Sequence, residues 1–269
     1  MSDDDLRLDD HLIDETFDRW LPGAMFPSEL VFLAQSVHAS GADLVIECGR
    51  QDGVSTWTLA SMFAGTHVEI QSIDFDEDPE RLAQAKARLI GLNATCVSGD
   101  IHVVVPELLD AMGARSGAGR RVAVVQDGPK GWEGLATLLS AAHDEAVVMI
   151  AQHNLHRGHR SRRAFEQLSS RPCFLERAAP GDERLARLRE REMDAAWTPN
   201  RPVDHTSLGV IELDPAGRSY LMRVLPGLRR AMGPWHPDRV LEHWRSGDLD
   251  YCSRVRRRSR WTLERFRKR

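Results

Sequence analysis

The chain has 269 residues, 42% of them hydrophobic, and a formal net charge of -4 from 36 basic and 40 acidic side chains, which suits one large soluble globular domain with additions or two small ones. No window is long and apolar enough to span a bilayer, and the opening residues "MSDDDLRLDDHLIDE" have neither the basic start nor the apolar stretch of a signal peptide, so the cytoplasm is the expected compartment. The four cysteines, Cys48, Cys96, Cys173 and Cys252, lie far apart with no CxxC pair, which argues against a zinc site or a disulfide framework.

Taken in chain order, the first forty residues read as helical, and "PSELVFLAQSVHAS" carries apolar residues at helical spacing behind Pro27 and Ser28. "DLVIECG" is then a short buried strand and "STWTLASMF" a helix. The pattern repeats: "HVEIQSID" as strand, "DPERLAQAKARLIGL" as helix, "ATCVSGD" as strand, "HVVVPELLDAMGA" as helix, "RVAVVQDG" as strand, "GWEGLATLLSAAHD" as helix and "AVVMIAQHN" as strand. Strands alternating with helices in this way predict a doubly wound α/β domain with a mostly parallel sheet. Beyond Asn154 the pattern weakens: "SRRAFEQLSS" reads as helix, "CFLERA" as strand, "DERLARLREREMDAAW" as a charged helix and "SLGVIELD" as a late strand, while everything from about Pro226 reads as an appendage outside the sheet. The expected division is a helical segment over 1–40, an α/β domain over 41–215 and an arginine-rich extension over 216–269.

In an open parallel sheet the ligand crevice lies beyond the carboxyl ends of the strands, and the first strand-to-helix turn lines it. Here that turn is "GRQDG", with Gly49 and Gly53 permitting close backbone approach and the following helix presenting unpaired N–H groups. It lacks the middle glycine of the G-x-G-x-x-G dinucleotide fingerprint, which weakens a nicotinamide reading, and no Tyr-x-x-x-Lys pair is visible.

"VIECGRQDGVSTWTLA" resembles the first motif of the class I S-adenosylmethionine-dependent methyltransferases, in the E-x-G-x-x-x-G-x-S form of the catechol O-methyltransferase-like group. "QSIDFDEDPERLAQAKARL", "CVSGDI" and "VVQDGPKGW" follow in the order that family implies, so the resemblance covers about Asp43 to Asn154. It implies a seven-stranded Rossmann-like sheet and S-adenosyl-L-methionine as cofactor. The cofactor-binding residues are then Glu47, Gly49, Gly53, Ser55, Asp74, Gly99, Asp100 and Asp127, with Asp74 taking both ribose hydroxyls and the Gly99-Asp100 turn reading adenine. The competing reading of Asp74 and Asp100 is that they cap helices.

On the acceptor side the resemblance implies a D-x-x-K end to the fourth strand, matched by Asp127 and Lys130, with Asp127 on a divalent metal and Lys130 removing a hydroxyl proton. Relatives complete that metal site with Asp-Asn after the fifth strand, whereas this chain has Gln152-His153 followed by Asn154. Two readings stand side by side. Asp127, Gln152 and His153 bind magnesium or manganese, or His153 is itself the general base of a metal-free reaction. Lys130 can also be read as a solvated turn residue, and His153 as a strand-end histidine bonded to backbone. The arginines 157, 160, 162 and 163 suit an acidic acceptor if they face the crevice.

Asp3, Asp4, Asp5, Asp9, Asp10, Asp14 and Glu15 oppose "RVRRRSRWTLERFRKR" at the other end, which is expected to pack on the acidic helix or on a second subunit, with nucleic acid or an anionic membrane as alternatives. The function expected is methylation of oxygen on a small-molecule or carbohydrate-like acceptor. An inactive scaffold of the same fold and an RNA methyltransferase are its rivals.

Overall fold

A strand that is apolar along its whole length can only sit where both faces of a sheet are covered, and the centre of this molecule is built that way. The computed structural model describes residues 6–115, 119–156, 160–195, 208–245 and 254–255. Strands β1 (Leu44–Cys48), β2 (Glu69–Asp74), β3 (Ala94–Ser98), β4 (Val122–Gln126) and β5 (Val147–Gln152) are parallel where they pair. β7 (Gly209–Glu212) runs antiparallel between β5 and the two-residue β6 (Cys173–Phe174), giving a seven-stranded sheet in the order β3-β2-β1-β4-β5-β7-β6.

The alternation of side chains along each strand divides the core in two. Leu44, Ile46, Val122, Val124 and Ile150 share one apolar cluster with Leu135, Leu138 and Leu139 of α6 (Gly131–Ala141) and Val105 and Leu109 of α5 (Ile101–Arg115). Val45, Ala123, Val125 and Met149 share the other with Leu30, Leu33 and Val37 of α2 (Pro27–Ser40) and Leu59 and Met62 of α3 (Val54–Met62). Truncating one of these leucines to alanine costs about 2–5 kcal/mol.

Local chemistry sets the helix ends. Asp9 caps α1 (Asp10–Arg19) through Leu12 N–H, Asp78 caps α4 (Pro79–Arg88) through Glu80 and Arg81 N–H, and Asp182 caps α9 (Glu183–Asp194) through Leu185 N–H. Gly41 closes α2 in the left-handed region at φ 65°. Glu29, at the third position of α2, accepts from Phe26 N–H at 2.9 Å.

The expected doubly wound, mostly parallel sheet is present, and its five parallel strands fall on the predicted stretches. "CFLERA" is mostly not a strand: after Phe174 the chain turns into the short helix α8 (Leu175–Ala178), with Leu175 buried beneath it. Among the described residues past Pro226 the elements are helical and lie off the sheet, yet Trp235, Val240 and Val255 join the α5–α6 core cluster. The arginine-rich run from 256 onward, the acids Asp3 to Asp5, and Arg157 lie outside the described residues. Among the described residues no helix is long and apolar enough to cross a membrane.

Candidate active site

Strand order reverses between β1 and β4, and the crevice of such a sheet lies at their carboxyl ends. The two turns that line it touch through backbone. Asp127 and Gly128 N–H both donate to Cys48 O, at 2.8 and 2.6 Å. Gly49 sits at φ 100°, and a Cβ there would fall 2.3 Å from Gly128 N and Cα, so glycine is required by both conformation and space. Gly53, at φ 76°, starts α3 and donates to Arg50 O at 2.9 Å. A parallel sheet with its last long strand inserted antiparallel beside β5, above a glycine turn at the reversal, decides the architecture. The fold is that of the class I methyltransferases.

No protein-family model matches the chain, and no curated protein matches it. Among solved structures it is similar to an O-methyltransferase from Bacillus cereus in complex with S-adenosylhomocysteine, at 13% identity and TM-score 0.43 over 77% of this chain and 93% of that one. A Podospora anserina methyltransferase with S-adenosylhomocysteine bound gives 12% and 0.41, over 76% of this chain and 86% of that one. A SAM-dependent O-methyltransferase from Thermotoga maritima gives 16% and 0.41, over 60% and 58%.

On the β1–β3 side of this methyltransferase fold, Asp74 ends β2 half-buried and accepts from Gln51 N–H at 2.8 Å and Phe75 N–H at 2.7 Å. It caps no helix; it ties the glycine turn to β2. Asp100 behaves differently, accepting from His102 N–H at 2.9 Å at the start of α5, which is the helix-cap role. Gly99 donates to Asp74 O at 2.9 Å. Ser55 is buried and its hydroxyl accepts from Met25 N–H at 3.1 Å.

Glu47 lies beneath the turn, wholly buried, accepting from Thr56 and, at 2.6 Å, from the Ser72 hydroxyl. Burial pushes its carboxyl up to about 7 against the pull of those two hydroxyls, and its Oε1 is buried with no hydrogen-bond partner. In this form it braces α3 against β2 and touches no crevice.

Residues that the sequence did not single out occupy the same region. Arg50 is 2% exposed; its guanidinium donates to Ser72 O at 2.5 Å, pairs with Asp76, and so spans the ends of β1 and β2. Asp76 in turn accepts from the Ser98 hydroxyl at 2.5 Å, carrying the network to β3. Phe75, directly after Asp74, is 42% exposed. An exposed aromatic beside a strand-end aspartate was the available signal for it; Arg50 offered none, since arginines are common throughout this chain. Gly23 of the α1–α2 connection lies against the Gln51 side chain, and the space left among Leu21–Ala24, Arg50–Asp52 and Asp127 is about 10 Å³, room for a water molecule.

On the β4–β5 side, buried charges converge. His153 Nδ1 is 2.5 Å from Asp127 Oδ1, and its Nε2 is 3.0 Å from Glu29 Oε2. Burial lowers the imidazole pKa, but Glu29 and Asp127 outweigh it and raise it to about 10; the same ring and Lys130 hold Asp127 below the usual carboxylate range despite its burial. Lys130 Nζ stands 3.6 Å from Asp127 Oδ1 with its side chain 54% exposed, at the rim of the crevice. Asn154, at φ 62°, places its amide 2.8 Å from His153 Nδ1. Glu192 of α9 accepts from Ser28 N–H at 2.6 Å and from its hydroxyl at 2.7 Å, and burial drives it up to about 7.

The expected metal set Asp127, Gln152 and His153 does not assemble. Side chains alternate across a strand, so Gln152 faces α6 and donates to Gly131 O at 3.3 Å, while Asp127 and His153 face α2. Among the described residues no group of three or more His, Cys, Asp and Glu is arranged to hold a metal ion. His153 turns Nδ1 toward Asp127 and the Asn154 amide and Nε2 toward Glu29. Arg162 is also structural: it is 5% exposed, donates to Leu155 O at 3.1 Å, pairs with Glu176 and lies 3.8 Å over Phe174. Arg160 and Arg163 are exposed.

Proposed function

We propose that the chain is an S-adenosylmethionine-dependent methyltransferase acting on oxygen of a small-molecule acceptor, carbohydrate-like molecules included. The carrying observation is the pairing of Asp74 with the glycine turn at the point where strand order reverses. Asp74 uses one backbone N–H per carboxylate oxygen, which leaves each oxygen capacity for a ribose hydroxyl. Phe75 beside it offers an aromatic face to a purine.

When bound, the cofactor supplies a methyl group on a sulfonium. In the transfer the sulfur–carbon bond breaks as the acceptor oxygen–carbon bond forms, S-adenosylhomocysteine leaves, and the acceptor's proton must be taken up. In this reading Lys130 takes up that proton, which its exposure and its place beside Asp127 support. In this reading the part of the cofactor between the glycine turn and Asp127 needs the Leu21–Met25 connection to lift from Gln51 and Ser55, because only about 10 Å³ lies among them.

That filled crevice is also what favours the second reading, a scaffold that keeps the fold without turnover. Calorimetry with S-adenosylmethionine, S-adenosylhomocysteine and NAD separates them. The enzyme reading expects the first two to bind, NAD not to bind, and Asp74→Asn to weaken S-adenosylhomocysteine by roughly tenfold or more. Binding of NAD alone, or of none of the three, rejects it.

A further inference from the structure

Asp127, His153 and Glu29 form one buried line of carboxylate, imidazole and carboxylate, joining the end of β4, the end of β5 and the first turn of α2. Three nitrogen groups converge on Asp127 Oδ1: His153 Nδ1 at 2.5 Å, Asn154 Nδ2 at 3.4 Å and Lys130 Nζ at 3.6 Å. Glu29 is likewise taken, accepting from Phe26 N–H at 2.9 Å and facing His153 Nε2 at 3.0 Å. The His153 ring thus occupies the space between the Asp127 and Glu29 carboxylates. A divalent cation would meet the His153 ring in the space between the two carboxylates, with Asp127 Oδ1 and Glu29 Oε2 already engaged by nitrogen. Of the two amides that the sequence offered as further oxygen donors, Gln152 faces the other side of the sheet, and Asn154 turns its Nδ2 toward Asp127 and His153.

We propose that the His153 ring fills the place of the metal ion in this site, and that the chain methylates its acceptor without one. This rests on the methyltransferase reading above. Glu29 and His153 are then positioning residues: they fix the Asp127 carboxylate, which holds Lys130 at the crevice rim, and they fasten α2 across the acceptor side. The ring stands where a metal ion would otherwise lie, and it also ties β5 to α2.

The test is a titration of the full-length protein with manganese, reading free Mn²⁺ by electron paramagnetic resonance. Wild type is expected to bind none up to about 1 mM, whereas His153→Asp, which puts a third carboxylate between Asp127 and Glu29, is expected to gain a saturable site with Kd below about 1 mM that magnesium competes for. Wild-type binding that Asp127→Asn abolishes overturns the proposal, as does a folded His153→Asp protein, verified by circular dichroism, that gains nothing. The wild-type titration decides even where His153→Asp does not fold. S-adenosylhomocysteine calorimetry, run in EDTA and in manganese, is expected to give the same affinity in both. A metal-dependent affinity counts against the proposal. Absence of binding in both buffers rejects the methyltransferase reading while the manganese result stands on its own.

Discussion

The two sides of the crevice are built from different materials. On the β1–β3 side the work is done by backbone: Gly49 against Gly128, Gly53 starting a helix, and a strand-end aspartate taking one N–H from the neighbouring turn and one from Phe75. On the β4–β5 side it is done by charged side chains from separate parts of the chain, with Glu29 of α2 meeting His153 and Asp127. Backbone geometry at a turn leaves a compact sequence signature, whereas a charge cluster assembled across elements leaves none.

The contrast can be broken at its strongest point first. Gly49→Ala forces a Cβ to within 2.3 Å of Gly128 backbone at a φ of 100°, and should cost ~4 kcal/mol or more, read as a collapse of the urea midpoint. Tolerance of that change with under about 1 kcal/mol lost would show that the two turns are not in forced contact.

Next comes the charge line. Asp127→Asn leaves His153 with a single carboxylate and should cost about 3–5 kcal/mol at neutral pH by the same measurement. Since the His153 pKa is raised from 6.5 to about 10 on folding, its contribution is fully present below about 6.5 and fades as pH rises through 10. Wild-type stability should therefore fall across that alkaline window, and His153→Asn should flatten the fall.

Glu47 works in the opposite range. Its folded pKa of about 7 lies above the ordinary 4.5, so the fold holds a proton that the unfolded chain has released, and stability declines between about pH 4.5 and 7. Glu47→Gln should remove roughly 1–3 kcal/mol of that decline, followed by thermal unfolding at several pH values.

The smallest structural effect is expected at Phe75. Being 42% exposed, Phe75→Ala should leave stability within about 0.5 kcal/mol yet weaken S-adenosylhomocysteine by roughly tenfold. An unchanged affinity would remove the ring from the site.

The sheet was legible in the sequence because strands buried on both faces read as continuous apolar runs, and Val122 to Val125 are such a run. Lys130 and Asp127 were legible as a spaced pair, and they do meet. Gln152 was misplaced because spacing along the chain does not state which face of a strand a residue takes, and a shift of one position reverses it. Glu29 was invisible for another reason: a glutamate at the third position of a helix reads as a capping residue, and here it caps and binds His153 at once. Asp100 is the converse case, matching a motif position while serving its own helix.

A crystal structure grown with saturating S-adenosylhomocysteine tests the central claim most directly. The account predicts the ribose on Asp74, the purine over Phe75, and the Leu21–Met25 connection lifted away from Ser55. The nucleoside bound elsewhere, or no nucleoside at all with Met25 still bonded to Ser55, would contradict it.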